Sequence, residues 1–206
     1  MTTPSTVVFD LGGVLIDWNP RHLYRDLFRG DEAAMERFLT EVCSPAWNEQ
    51  QDGGRPIAEA EAELLARHPD QAEMIRAFYG QFDRMMRDQI HGTVGVLEDL
   101  HAAGVPLYGL TNWSAETFHH GPRRFDFFRR FRGVVVSGEI RMKKPDRAIF
   151  EHLLQRFGLA GTDCVFVDDS PRNVVGAREA GLHALHFTSP EALRRDLRDL
   201  GLPLAT

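Results

Sequence analysis

The stretch "STVVFDLGGVLIDWNP", residues 5–20, decides how the chain is to be read. Its apolar run "TVVFD" (6–10) ends on a carboxylate, Asp10, and Gly12 and Gly13 follow almost at once. Continuous β-branched and aromatic residues, without polar alternation, mark a strand covered on both faces. Such strands belong to parallel sheets flanked by helices, where ligands lie beyond the carboxyl ends of the strands. Asp10 stands at such an end. The strand holds it rigidly, and the two glycines let the backbone turn sharply and approach a substrate that a Cβ would keep away. A plain turn after a strand accounts for the same residues more modestly, so the rest of the chain has to decide.

Four more runs of the same kind follow: "VPLYGLT" (105–111), "GVVVS" (133–137), "CVFVD" (164–168) and "HALHF" (183–187). Helical patterns separate them, among them "TVGVLEDLHAAG", "DRAIFEHLLQRFG" and "NVVGAREAG". Gly104, Gly158, Gly181 and Gly201 fall where helices end on a left-handed residue. Strand and helix in alternation predict an α/β fold with a doubly wound parallel sheet. Residues 18–90 break the alternation with helical patterns and no convincing strand. The expected organisation is an α/β core of 1–17 and 91–206 with a small helical cap, 18–90, hinged at "DWNP" and "IHG". Within that insertion "NEQQDGGRP" (48–56) reads as a polar loop.

Composition narrows the function. The 206 residues are 43% hydrophobic and 26% charged, as in a soluble globular protein. No run approaches the ~20 apolar residues that cross a bilayer. "MTTPSTVVFD" lacks the basic and apolar regions of a signal peptide. Cys43 and Cys164 are too few for a disulfide scaffold, so the expected location is cytoplasmic. A formal charge of −6 argues against nucleic acid as a partner. His119-His120 and the other histidines lack zinc spacing, Cys164 sits in an apolar strand, and no GxGxxG or P-loop occurs. Of 24 basic residues 22 are arginine; the two lysines, Lys143 and Lys144, are adjacent. Chance in an arginine-rich chain explains this, and so does a site that needs a compact ammonium.

The strand ends collect chemistry on one edge: Asp10, then Thr111-Asn112, then Asp168-Asp169, with "GEIRMKKPD" shortly after "GVVVS". Each alone is a common turn or cap residue. Together they are harder to dismiss. Two adjacent carboxylates would repel an anionic substrate unless a cation intervened, and with Asp10 they make a hard oxygen site suited to Mg²⁺.

In order and spacing these motifs resemble those of the haloacid dehalogenase-like hydrolase superfamily, over nearly the whole chain. "VVFDLGGVL", "YGLTN", "KKPD" and "VFVDDSPRN" match its four motifs, and the helical insertion matches the position of its cap. The DDxxxN form is shared with a branch containing α-glucose-1-phosphate phosphatases and the phosphatase domain of soluble epoxide hydrolases. The resemblance implies Asp10 as nucleophile, Thr111 and Asn112 binding the transferred group, and Lys144 as the catalytic lysine. It implies Mg²⁺ held by Asp10, the Gly12 carbonyl and Asp169. Asp168 then orients the site or pairs with Lys144, and Asn173 holds a metal-bound water or caps the following helix. Lys143 reads as a solvated surface lysine, and Trp113 as a pocket wall or a packed aromatic.

One position departs from the family pattern. Most phosphatases of the superfamily carry an acid two residues after the nucleophile, where this chain has Gly12. General acid–base help is worth ~10²–10⁴-fold. Three readings follow. The first is a Mg²⁺-dependent phosphatase of a small phosphorylated metabolite, acting through an aspartyl-phosphate on good leaving groups or with an acid borrowed from the cap. The second is a 2-haloacid dehalogenase, since halide needs no proton. The third is a weakly catalytic phosphate- or partner-binding module. Asp17 is a possible replacement acid, although turn formation explains it. Substrate choice is expected in the cap, with "WNEQQDGGR" as a contact surface. Monomer and homodimer stay equally open.

Overall fold

The structure, a computed structural model, describes residues 3–204. Seven strands form in chain order: β1 (Thr6–Phe9), β2 (Ile16–Trp18), β3 (Met86–Gln89), β4 (Leu107–Thr111), β5 (Gly133–Val136), β6 (Cys164–Asp168) and β7 (His183–His186). Five make one parallel sheet in the order β5-β4-β1-β6-β7. These are the five runs read from the sequence, each trimmed by no more than two residues at an end.

The order places the site. From β1 the chain builds outward through β4 to β5, then crosses back to add β6 and β7 on the other side. The crevice where that direction reverses lies at the carboxyl ends of the central strands. Phe9 is in register with Gly109 on one side and Val167 on the other. Asp10, Thr111 and Asp168 therefore emerge side by side.

Both faces of the sheet are covered, which is why its central strands are apolar throughout. Val7 and Phe9 point into a core shared with the helix His91–Ala102, the helix Pro190–Asp199 and the inserted helices. Val8 points the other way, joining Leu110 and Phe166 against the helices Arg147–Phe157 and Pro171–Glu179. The four glycines predicted at helix ends have φ of +64° to +89°.

Between β2 and β3 lie the helices Arg21–Leu27, Glu32–Glu41, Pro45–Asp52, Ile57–Arg67 and Ala72–Gly80. Asp31 and Ser44 cap two of them, accepting from the backbone N–H of Ala34 and Trp47. Their shared core is aromatic: Tyr24 lies 5.0 Å from Phe38 between ring centres, and Trp47 meets Phe78 edge-on at 5.3 Å. The buried Tyr24 hydroxyl donates to the Met74 carbonyl.

One expectation fails here. The sequence pattern predicts no strand in 18–90, yet Met86–Gln89 pairs antiparallel with Ile16–Trp18. "MRDQ" is polar at three of its four positions and exposed at its centre, so no apolar run marks it. The pairing makes it a strand, and the ribbon ties together the two ends of the insertion.

Candidate active site

Asp10 follows β1 directly and is 8% exposed. Its Oδ1 accepts the Leu11 backbone N–H at 2.7 Å and faces Lys144 Nζ at 2.8 Å. Its Oδ2 takes no hydrogen bond from any described residue. Lys144, with a side chain 1% exposed, is bracketed on its other side by Asp168 Oδ2 at 2.7 Å. Burial alone would lower the ammonium's pKa, but the two carboxylates outweigh it and hold Lys144 above the ordinary lysine range.

Asp10 shows what the site lacks. Burial pushes its carboxyl well above the usual range; Lys144 opposes this, while Asp168 and Asp169 add to it. Asp169 is raised by burial and by Asp168. The three aspartates each offer an oxygen within 4.8 Å of the others, around one ammonium. The site is short of positive charge.

The oxygens available for a cation are not equally free. Asp168 Oδ1 accepts the Ser170 backbone N–H at 2.8 Å, and the Asn173 amide reaches both its oxygens at 3.0 and 3.1 Å. With Lys144 on Oδ2, Asp168 is saturated. Asp10 Oδ2 and the exposed Asp169 carboxylate remain. Asn173 thus does not cap its helix, whose N-cap is Ser170; its amide fixes Asp168.

The two glycines after Asp10 separate in role. Gly13 has φ +76°, and a Cβ there would come 2.3 Å from Asp169 Oδ2. It is the residue that lets the first loop turn beneath Asp169. Gly12 has ordinary φ, and a Cβ there would meet nothing nearer than Trp18 at 4.0 Å. The sharp turn assigned to both glycines belongs to Gly13 alone.

Asn112 is also committed. Its Nδ2 donates to the Lys144 carbonyl at 3.0 Å, and its Oδ1 accepts the Lys144 N–H at 2.9 Å. Instead of offering its side-chain amide to an oxyanion, it clamps the lysine's backbone. Thr111 is buried and borders the cleft.

These groups open into a cleft of about 600 Å³, within the range of small-molecule sites. Its far wall comes from the insertion: Trp18, Leu39 and Phe78 are apolar, and Asn48, Glu49 and Asp52 polar. Three residues of "WNEQQDGGR" thus reach the cleft, while Trp47 packs inside the insertion. Lys143 spans the gap toward Glu49 at 3.5 Å, with Arg172 on the other Glu49 oxygen at 3.6 Å. Asp17 pairs with His22 at 2.9 Å and does not border the cleft. Trp113 is 6% exposed, meets Phe118 edge-on at 5.6 Å and donates its indole N–H to Thr117, and it also lines a small recess beside the cleft, so it is both packed and a pocket wall. Cys164 is fully buried in β6. Sequence reasoning passed over Ser137, whose hydroxyl donates to the Asp52 carbonyl and accepts the Trp113 N–H at 2.9 Å.

A carboxylate and a carboxylate pair at the ends of central parallel strands, with a buried ammonium between them, form a site suited to hydrolysis of an anionic substrate. The chain belongs to the haloacid dehalogenase-like hydrolase family, whose profile matches residues 4–181. It is 28% identical over 199 residues to the sesquiterpene phosphatase astK of Aspergillus oryzae, covering 97% of each chain. It is 27% identical to a phosphoglycolate phosphatase of Photobacterium profundum, over 88% of this chain and 82% of that one. Among solved structures, a HAD family enzyme, BT-2542, of Bacteroides thetaiotaomicron in complex with magnesium and inorganic phosphate superposes with a TM-score of 0.67. It is 20% identical and covers 90% of this chain and 95% of that chain. No helix among the described residues is long and apolar enough to cross a membrane.

Proposed function

We propose that the protein is a Mg²⁺-dependent phosphatase of small phosphate monoesters that works through an aspartyl-phosphate on Asp10. The observation that carries this is the division of Asp10 into two unlike oxygens. Oδ1 is fixed by Leu11 N–H and Lys144, while Oδ2 takes no hydrogen bond from a described residue and keeps its lone pairs for attack in the cleft that Asp10 borders. Lys144 is positioned to balance charge on the phosphoryl group as Asp10 attacks. Thr111 offers its hydroxyl, and Asn112 and Asp168 hold the lysine from its backbone and its head.

The surplus of carboxylate at this edge fits a hard divalent cation, with Asp10, the Gly12 carbonyl and Asp169 as its protein ligands. When bound, Mg²⁺ offsets the repulsion between the carboxylates and the phosphate and polarises the phosphoryl oxygen. Residues 18–90 act as the cap over a core of 1–17 and 91–206. The leaving group lies against Trp18, Leu39 and Phe78, and the likeness to a sesquiterpene phosphatase supports a substrate with hydrocarbon surface.

The test is release of phosphate from p-nitrophenyl phosphate and sugar phosphates, and of chloride from 2-chloropropionate, each with Mg²⁺ and with chelator. Phosphate release that chelator abolishes supports the reading. Chloride release without metal overturns it in favour of a dehalogenase, and silence in both assays favours a binding module.

A further inference from the structure

We infer that Asp52, carried by the inserted helices, is the catalytic acid and base of this site: it protonates the leaving-group oxygen and then takes a proton from the attacking water. The inference rests on the phosphatase proposal and adds a residue to it. An alkoxide is a poor leaving group, so cleaving an alkyl phosphate needs a proton source at the bridging oxygen. The loop after Asp10 provides none, because Gly12 has no side chain.

Asp52 ends the helix Pro45–Asp52 and borders the main cleft together with Asp10. It also lines a recess of about 70 Å³ that shares Gly12, Thr111 and Asn112 with that cleft. Its carboxyl is held in place: Asn48 Nδ2 donates to Asp52 Oδ2 at 3.0 Å, and the Tyr79 hydroxyl donates to Asn48 Oδ1 at 2.9 Å. The other carboxyls of the cleft are engaged. Asp10 and Asp169 belong to the nucleophile and cation site, and Glu49 lies between Lys143 and Arg172. Among the described cleft carboxyls Asp52 and Asp169 have no cationic partner within ion-pair distance, and of the two only Asp52 lies outside the cluster of three aspartates.

Its surroundings suit a group that must both give and accept a proton. Burial pushes the Asp52 carboxyl up to about 7; the Ser114 backbone N–H lowers it, Glu49 raises it, and Lys143 and Lys144 lower it. The neighbouring Tyr79 is raised by its own burial and stays protonated. A catalytic acid is most effective with a pKa near the working pH.

The steps balance. Asp10 Oδ2 forms a bond to phosphorus as the bond to the leaving oxygen breaks, and the Asp52 proton goes to that oxygen, releasing the alcohol. The Asp52 carboxylate then takes a proton from water as its oxygen attacks phosphorus. Phosphate leaves, Asp10 is restored and Asp52 is protonated again.

A purely structural role makes a different prediction, because the tie to Ser137 uses the Asp52 backbone carbonyl, which Asp52→Asn retains. The experiment compares hexyl phosphate, whose alkoxide needs a proton, with p-nitrophenyl phosphate, whose phenolate does not, under saturating Mg²⁺. In Asp52→Asn, kcat/KM for hexyl phosphate is expected to fall about 10²–10⁴-fold, with p-nitrophenyl phosphate changed less than about tenfold. Equal losses on both esters, or no loss, overturn the assignment. A second readout needs no variant. In the wild type the ratio of kcat/KM for hexyl to p-nitrophenyl phosphate is expected to fall as pH rises above about 7. A ratio flat from about pH 6 to about pH 9 overturns the role of Asp52 while phosphate release keeps the phosphatase. No phosphate from either ester overturns both.

Discussion

Replacing Lys144 by methionine should cost this fold more than any surface ion pair. The ammonium is 1% exposed and bridges Asp10 at 2.8 Å and Asp168 at 2.7 Å. Methionine is unbranched, one heavy atom shorter and close in volume, so the change is chiefly in charge. Breaking a buried pair by removing one partner costs about 3–5 kcal/mol, because the remaining charge stays buried without compensation. For a chain of this size each kcal/mol moves the melting temperature by about 2–4 °C, so the expected drop is about 6–20 °C. The loss must also depend on pH. Asp10 is already raised by burial, with Lys144 as its main opposing influence, so removing the lysine raises it further. A carboxyl whose folded pKa exceeds its unfolded value binds its proton more tightly when folded. Its penalty is therefore absent below the unfolded pKa, grows as pH rises and is complete above the folded pKa. Urea unfolding in chelator at pH 5 and pH 8, followed by tryptophan fluorescence, measures both effects. A loss below about 1 kcal/mol at pH 8, or a larger loss at pH 5 than at pH 8, would refute the buried-counterion reasoning.

The other expectations concern the loop after β1. Asp10→Asn should abolish phosphate release while keeping the wild-type far-ultraviolet dichroism, since Lys144 retains Asp168 as a partner; substantial residual turnover would mean another nucleophile. Gly13→Ala should destabilise by about 1–2 kcal/mol from the left-handed backbone alone. Its Cβ also collides with Asp169, so the Mg²⁺ concentration giving half-maximal rate should rise, and an unchanged value would detach Asp169 from the cation. Gly12→Asp should fold normally, because a Cβ there has room, and placed in the Asp52→Asn background it should restore hexyl phosphate turnover. A double variant no faster than Asp52→Asn would count against a proton donor in that recess.

The sheet was legible because burial on both faces writes itself as unbroken apolar runs, and the strand ends then placed Asp10, Thr111 and Asp168 together. Residues whose role depends on a partner were not legible. "MRDQ" has no strand pattern and becomes one by pairing with Ile16–Trp18. Nothing in "GG" tells which glycine takes the positive φ; the position of Asp169 decides it. Asn112 looks like a donor for an oxyanion until the Lys144 backbone is seen to occupy both ends of its amide. Asp52 falls in "NEQQDGGRP", which reads as a polar loop, yet the helix Pro45–Asp52 runs through the first five of those residues, capped by Ser44 upstream of the polar run, and the place of the half-buried Asp52 carboxyl is a product of where that helix docks.

That docking links the two halves of the chemistry. The proposed nucleophile and cation ligands follow the central strands β1 and β6, and Lys144, from the loop after β5, is held there by Asn112 at the end of β4. The proposed proton donor comes from the insertion and depends on it being in place. Ser137 joins the two, accepting the Trp113 N–H next to the Thr111-Asn112 strand end while donating to the Asp52 carbonyl. A core whose insertion is docked elsewhere keeps a competent nucleophile but loses the proton that an alkoxide needs. It would then discriminate among esters by leaving group, favouring those that depart unaided. On the proposed mechanism the insertion would select substrates in two ways, by the wall that Trp18, Leu39 and Phe78 present and by the proton it delivers, and the second would act only on a substrate the first has admitted.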